Sequence, residues 1–493
     1  MKRYLTANIA LLLTVMTLSG QSPIRYSVVP AVPTDSSDLA YYGKERHFRA
    51  LGSIVGLNVG VWAYGRYIRK GDYAYINGST MMENFRTGFI WDNDNMGNNM
   101  FLHPYHGSLY HNAARSNGFN YWQSGALAFG GSMMWEFLME CEYPSTNDII
   151  ATPIGGMALG EVLYRASDII LDDRTSGWER FGREAAAMVI SPMRGLTRIL
   201  TGDAWLRRAT SGRQLGIPDV SVEFSVGVRT LEFKDEVFDS GMGLATEIYI
   251  EYGDRYSTRN SQPYDYFTLR TDINLQASQP VLGRLNIMGR LLGRDIYDQG
   301  AHCFNIGMYQ HFDYYDSDTI SDLSAKTPYK ICSPATLGCG LMYRRLGKSA
   351  CNFDAFFHLN GIILGGALSD YYHVDQRNYN LSSGFGLKSG LNFATVNQRL
   401  SVSLTHEYYQ LYTWKGYPLD MDWEDYDERT LDVQGDKSSA RLNVSELRID
   451  YRLWKKLYLT GVFTQYSRET RYKYLPNVTS NSTESRIVLT YKL

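Results

Sequence analysis

From Pro218 to the last residue, apolar and polar side chains alternate with a period of two. Val220, Val222, Phe224, Val226 and Val228 interleave with Ser221, Glu223, Ser225, Gly227 and Arg229. The same alternation runs through 267–275, 285–291, 353–359, 400–404 and 487–493. A period of two places one set of side chains on each face of a sheet. About twelve such strands are predicted, near 219–231, 242–253, 264–277, 283–295, 302–314, 334–345, 351–365, 380–394, 399–413, 439–453, 456–468 and 484–493. Over the last seven, connections are short at Arg345–Ala350, Ala394–Gln398 and Trp454–Lys455, and long at 366–379, 414–438 and 469–483. Short turns on one side and long loops on the other mark an antiparallel barrel that crosses a membrane. The first five strands break this rhythm, because Ser278–Leu282 is short where a long loop is due. A slip of the apolar phase near Ser445–Glu446 predicts a β-bulge. An exported two-sheet sandwich would also alternate, but the pattern carries no second apolar layer.

Composition agrees. Lys+Arg 49 against Asp+Glu 51 leaves a charge of −2, so no basic field recruits nucleic acid. A mean hydropathy of −0.30 excludes a polytopic helical membrane protein. Tyrosine (38) outnumbers phenylalanine (20), and its wet-tipped ring suits strands that cross a membrane–water boundary. Lys2 and Arg3, the apolar run Ile9–Leu18, and Ser19-Gly20 read as a signal peptide over 1–20, so the chain is expected to be exported. The five cysteines show neither a disulfide framework nor a zinc pair.

Residues 21–50, with Pro23, Pro30 and Pro33, read as an extended lead-in, and 51–217 as a helical domain. Apolar helical stretches lie near 51–67, 124–141, 148–171 and 179–201. Ser145-x-x-Asp148 and Ser176-x-x-Glu179 are start signals. Gly52, Gly56 and Gly60, then Gly130–Gly131, then Gly156 and Gly160 predict close helix packing. The fold class is therefore an α+β membrane protein: an N-terminal apolar helical bundle followed by a transmembrane antiparallel β-barrel of about 12 strands. Such a barrel has a backbone diameter of roughly 24 Å, and side chains leave about 14 Å for a helix that is itself about 10–12 Å wide. The bundle is expected at the periplasmic mouth, lending at most one or two segments to the lumen.

The densest polar block, within the motif region 85–165, reads Trp91-Asp92-Asn93-Asp94-Asn95-Met96-Gly97-Asn98-Asn99, then His103-Pro104-Tyr105-His106-Gly107-Ser108 and Tyr110-His111-Asn112-Ala113-Ala114-Arg115. Trp135-Glu136, Glu140, Asn147-Asp148 and Gly160-Glu161 follow. Over about 81–200 this order of motifs resembles a family of uncharacterised bacterial outer-membrane proteins classed as a domain of unknown function. The resemblance implies an outer-membrane address and brings no activity, ligand or catalytic assignment. Leu493 stands where many such barrels end in an aromatic residue.

Asp92-x-Asp94-x-Met96-Gly97 fails as a calcium loop, since Met96 and His103 occupy positions that need oxygen ligands. A turn held by Asx side chains is expected instead. His103, His106, Glu136 and Glu140 are weak metal candidates, because Pro104 is expected to prevent a helical HxxH. A hydrolase reading casts Ser108 as nucleophile, a nearby histidine as base and Asp148 or Glu140 as orienter, without nucleophile-elbow glycines. Glu161 and Arg165, four apart, form an expected structural pair, and Arg115 is assigned to Glu136 or Glu140. No cofactor motif is present, and none is expected.

Loop 414–438 carries eight acids against Lys415, Arg429 and Lys437 and reads as a solvated outer loop, with cation bridging to surface glycolipid as the sharper possibility. Outer-membrane lipid and, during biogenesis, the outer-membrane assembly machinery are the expected partners. The expected role is a non-enzymatic barrel with a periplasmic-side helical plug or cap, in envelope organisation or passage of a small or lipidic solute. The alternative is an envelope lipid-modifying hydrolase built on the His/Glu cluster.

Overall fold

The structure is a computed structural model. It describes residues 40–493 apart from 217, 234–242, 259–261, 276–279, 318–326, 348–350, 372 and 374–376. The expected signal peptide, and the lead-in as far as residue 39, lie outside the described residues. The chain forms two compact units. One is helical, taking in residues up to Thr87, His103–Glu142 and Thr152–Pro218; the other comprises Gly88–Leu102, Tyr143–Ala151 and Asp219–Leu493.

The second unit is built on a closed antiparallel barrel of twelve strands. The strands are β1 (Val220–Phe233), β2 (Gly243–Tyr252), β3 (Phe267–Asn274), β4 (Leu282–Gln299), β5 (His302–Asp316) and β6 (Lys330–Arg345), followed by β7 (Cys351–Leu368), β8 (Tyr379–Thr395), β9 (Leu400–Tyr412), β10 (Ser438–Trp454), β11 (Leu457–Tyr472) and β12 (Val478–Lys492). The last strand closes on the first, with Val226 opposite Leu489 and Gly227 opposite Val488. Closure removes both sheet edges. Val226, Val228, Leu244, Met308, Leu341, Phe357, Leu391, Leu404 and Leu489 are exposed on the outer face. Glu223, Arg229, Glu247, Arg270, Asp272 and Arg284, on the alternate positions, pair with one another or across the lumen.

The short-and-long rhythm is broken at 473–477, which is short at the long-loop end, where a long 469–483 is expected, because β11 and β12 extend to Tyr472 and back to Val478, and at 253–266, which is long at the short-turn end. It folds back on the wall through Arg290, whose guanidinium donates to the carbonyls of Asp254 (3.2 Å), Arg255 (3.2 Å) and Ser257 (2.7 Å) and pairs with Asp265 (2.9 Å). The bulge expected at Ser445–Glu446 is absent. Strand β10 keeps unbroken register there against β9 and β11, and its irregularity lies at Arg452–Trp454. The phase slip has a different cause: Leu442 and Val444 face inward and join Tyr315, Ile362, Leu411 and Tyr466 in an apolar cluster inside the barrel. The inner face is largely apolar at the long-loop end, where Arg468 is paired with Asp370 (2.7 Å), and charged further down.

In the helical unit, α1 is His47–Ala63, continued by a π-helical turn at Tyr64–Arg69, and α2 is Gly78–Thr87. Then come α3 (His103–Arg115), α4 (Tyr121–Leu138), α5 (Asp148–Ile170), α6 (Gly177–Ile190) and α7 (Pro192–Thr201). Helix α1 thus begins inside the stretch read as lead-in, and the expected 179–201 helix is split at Ser191, where Pro192 opens a new helix. Ser145 caps α5 by accepting from the Asp148 N–H (3.1 Å), whereas Ser176 makes no side-chain cap. A reciprocal capping box unforeseen in the sequence, Asn120 with Gln123, starts α4.

The glycines divide into two groups. A Cβ on Gly107 would lie 1.7 Å from the Thr152 carbonyl oxygen, and one on Gly156 would lie 2.4 Å from the Gly107 carbonyl carbon, so α3 and α5 cross backbone against backbone. By contrast, Gly52, Gly56 and Gly60 face open space, contrary to the close packing expected of them. Gly107→Ala should therefore destabilise the helical unit by about 3 kcal/mol or more. Gly52→Ala should stabilise α1 by about 1 kcal/mol. Pulse proteolysis of the full-length folded protein checks both.

Candidate functional site

The Asn/Asp-rich block is a scaffold that belongs to the barrel unit. Ile90 bridges Ser145 in parallel, joining segments 88–102 and 143–151. Asn147 accepts from the Asp92 N–H (3.2 Å) and donates to the carboxylates of Asp92 (3.1 Å) and Asp148 (3.0 Å). The Asn99 amide donates to Asp92 (2.6 Å) and to the Tyr379 hydroxyl (2.7 Å). Asp92 accepts from the Asp94 N–H (3.3 Å), the Asx turn expected in place of a calcium loop, and Asn95 accepts from the Asn98 N–H (3.0 Å).

These segments are pinned to the wall. The Cys332 thiol donates to the Met100 carbonyl (3.6 Å), the Phe101 ring lies tilted against Tyr314 at 6.5 Å, and the Trp91 N–H donates to Asp432 (3.0 Å). Tyr314, Cys332, Gly366 and Leu381 are successive cross-strand neighbours. Cross-strand neighbours share a face, and the adjacent residues Tyr315, Ile331 and Ala367 point into the lumen. The motif segments therefore lie on the outer side of the wall near the long loops and are not among the one or two segments, at most, that the sequence allows in the lumen.

Within the helical unit, Pro104 follows directly on the π-helical residues Asn98–Leu102, and this local change of winding accommodates the proline, so His103 and His106 are helical after all. The His106 ring packs on Tyr110 (4.5 Å) and against Trp135 (5.3 Å), and its Nε2 is closed off from solvent without a hydrogen-bonding partner. Burial, helped by His103, pushes His106 down to about 3. Ser108 is buried, and its hydroxyl donates to the Tyr105 carbonyl (2.6 Å). Glu140 accepts from the Trp135 indole (3.0 Å), while the carbonyls of Glu136 and Glu140 accept from Asn84 (3.3 and 3.0 Å). Asp148 falls in the other unit. Among the described residues, no group of three or more His, Cys, Asp or Glu side chains is arranged to hold a metal.

The expected pair of Glu161 and Arg165 is present (2.9 Å), but Arg115 joins Glu161 rather than Glu136 or Glu140, at 2.9 and 3.0 Å. His111 Nε2 completes the set at 3.1 Å. Burial alone would raise the Glu161 carboxyl; the two guanidiniums and His111 outweigh it and hold the group well below the usual range. Burial keeps His111 neutral, so it donates to Glu161.

The largest polar constellation was legible only as single inward residues. Glu247 on β2 takes Arg270 of β3 (2.7 Å) and Arg448 of β10 (2.5 Å). Glu446 on β10 takes Arg270 (2.6 Å) and Arg284 of β4 (3.0 Å). Asp272 takes Arg284 and Arg486, each at 2.7 Å, and Glu484 takes Arg229 (2.6 Å). Since β10 stands four, five and six strands round the twelve-strand ring from β2, β3 and β4, the bonds that join it to them are chords across the lumen. Beside them Lys388 pairs with Asp313 (2.5 Å), and Tyr315 and Tyr409 donate to Glu407 (2.8 and 2.5 Å). His311 and His358 touch at 3.3 Å.

Residues 88–193 match the profile of a family described as Domain of unknown function (DUF3943). No curated protein matches the chain. Among solved structures, the NanC porin is 9% identical, with a TM-score of 0.28 over 55% of this chain and 100% of its own. The KdgM porin is 7% identical, with a TM-score of 0.23 over 54% and 98%. The toluene transporter TodX of Pseudomonas putida is 10% identical, with a TM-score of 0.21 over 56% and 90%. The membrane argument stands on this chain's own barrel: closed, even-stranded, apolar outside and charged within. The protein is a bacterial outer-membrane β-barrel.

Two outcomes follow for the helical unit. Glu161→Ala strands Arg115 and Arg165 and should cost about 3–5 kcal/mol. His106 titrates near 6.5 when unfolded and about 3 when folded, so its neutral burial stabilises fully above pH 6.5. That contribution fades by about 1.4 kcal/mol per pH unit as pH falls towards 3. Acid unfolding followed by tryptophan fluorescence should show a flatter profile for His106→Phe over that window.

Proposed function

We propose that the protein is a gated outer-membrane barrel that passes a small solute and is held shut by the ionic chords across its lumen. The observation that carries this reading is the placement of Glu446 and Arg448 of β10 against Arg270, Arg284 and Glu247 of the opposite wall. A barrel meant only as an anchor has no need of buried charges in its interior, which are costly to desolvate. The belt is also neutral. Arg229, Arg270, Arg284, Arg448, Arg486 and Lys492 balance Glu223, Glu247, Asp272, Glu446, Asp450 and Glu484. Parting such pairs exposes cations and anions together to water, which suits a polar solute of either sign.

In this reading the helical domain is an accessory plug or cap. Outer-membrane lipid surrounds the outer face, the acidic loop 414–438 meets surface glycolipid through divalent cations, and the outer-membrane assembly machinery inserts the barrel. The buried, hydrogen-bonded Ser108 hydroxyl gives the hydrolase alternative no support.

Glu446→Gln weakens two chords at once. In planar bilayers the wild-type protein should be mostly closed, and the variant should be open roughly tenfold more of the time, the equivalent of about 1.4 kcal/mol. Equal, negligible conductance from both proteins, with the barrel folded, would remove the gating reading.

A further inference from the structure

Helix α1 has two faces of opposite character. One is built into the helical unit: Ala50, Ile54 and Asn58 are buried, Ile54 packs with Tyr110, and the Asn58 amide donates to the Gly131 carbonyl (3.1 Å). The other carries Phe48 (94% exposed), Leu51 (49%), Val55 (44%) and Val59 (43%), spaced three or four residues apart along one stripe. Gly52, Gly56 and Gly60 lie between them with nothing over them, so the stripe is smooth and holds no polar side chain. The π-helical turn prolongs it with exposed Tyr67 and Ile68.

Charge decides what covers this stripe. From Arg46 to Gly71 the chain carries Arg46, Arg49, Arg66, Arg69 and Lys70 and no acid. Arg46 is used locally, donating to the carbonyls of Tyr41 and Lys44. Arg49 at one end and Arg69 and Lys70 at the other are exposed. Two antiparallel copies of such a helix would set like charges against each other at both ends, which disfavours a self-pairing face. An anionic bilayer satisfies both features: acyl chains take the stripe and phosphates take the cations. Because its other face is built into the helical unit, the helix offers the bilayer a single face and lies along the surface, with its cations at headgroup level.

We infer that α1 is an in-plane lipid-binding helix, with Phe48, Leu51, Val55 and Val59 among the acyl chains of an anionic bilayer and Arg49, Arg69 and Lys70 on its phosphates. The inference rests on the membrane address of the barrel and is independent of whether the barrel conducts.

The test uses the full chain in vesicles of phosphatidylcholine, alone or mixed with phosphatidylglycerol. Val55 is replaced by the photo-crosslinker p-benzoylphenylalanine, and Glu424 in the acidic loop is replaced in the same way as a control, since these vesicles contain neither the glycolipid nor the divalent cations proposed to engage that loop. Mass spectrometry should find a phospholipid adduct at position 55, severalfold above position 424 and strongest with phosphatidylglycerol. Combining the probe with Arg49→Gln, Arg69→Gln and Lys70→Gln should remove the phosphatidylglycerol preference while the barrel keeps its heat-modifiable mobility. A position-55 yield no higher than at 424, or an adduct between two protein chains in its place, overturns the inference.

Discussion

Closing β1 onto β12 commits every second side chain of the barrel to an interior shut off from lipid and largely shielded from bulk water. Once that ring exists, an inward arginine must find its carboxylate inside the same ring, since an unpartnered buried charge costs several kcal/mol. The chords follow from this constraint. Arg270 and Arg284 reach Glu446, and Arg448 reaches Glu247, because closure brings distant strands face to face. The outer face obeys the complementary demand and is apolar wherever it meets lipid.

The same rule of complete partnering explains the polar motif block. Asp92, Asn99 and Asn147 form a small lattice of amide and carboxylate bonds whose role is to fix two chain crossings against the wall. Family likeness concentrated at 88–193 coincides with this lattice and with the Glu161 cluster, both of them structural devices on the present geometry.

Much of the architecture was legible because period-two alternation is a local property. The strand count, the antiparallel order and the pairing of Glu161 with Arg165 all depend on neighbours along the chain. What escaped the sequence depends on partners far away. The partner of Arg115 is chosen by the crossing of α3 and α5, which Gly107 and Gly156 permit and their spacing alone does not announce. The glycines of α1 were misread for the same reason, since glycine spacing marks a smooth surface without saying what lies over it. The supposed bulge in β10 arose from taking the apolar residues to be outward, whereas Leu442 and Val444 fill the inside. Helix α3 was read as a loop because its histidines and asparagines look solvated, yet His111 and Asn112 are buried among other helices.

The pinning of the motif segments also orders events in time. Asn99 meets Tyr379 across 280 positions of chain, Met100 meets Cys332 across 232, and Trp91 meets Asp432 across 341. Contacts so distant in sequence form late, because the loops they close carry a large entropic cost. The N-terminal third of the protein therefore cannot finish folding on its own schedule. Its two excursions must wait, with their asparagines and aspartates hydrated, until strands from the other end of the gene product have assembled, which couples maturation of the helices to insertion of the barrel.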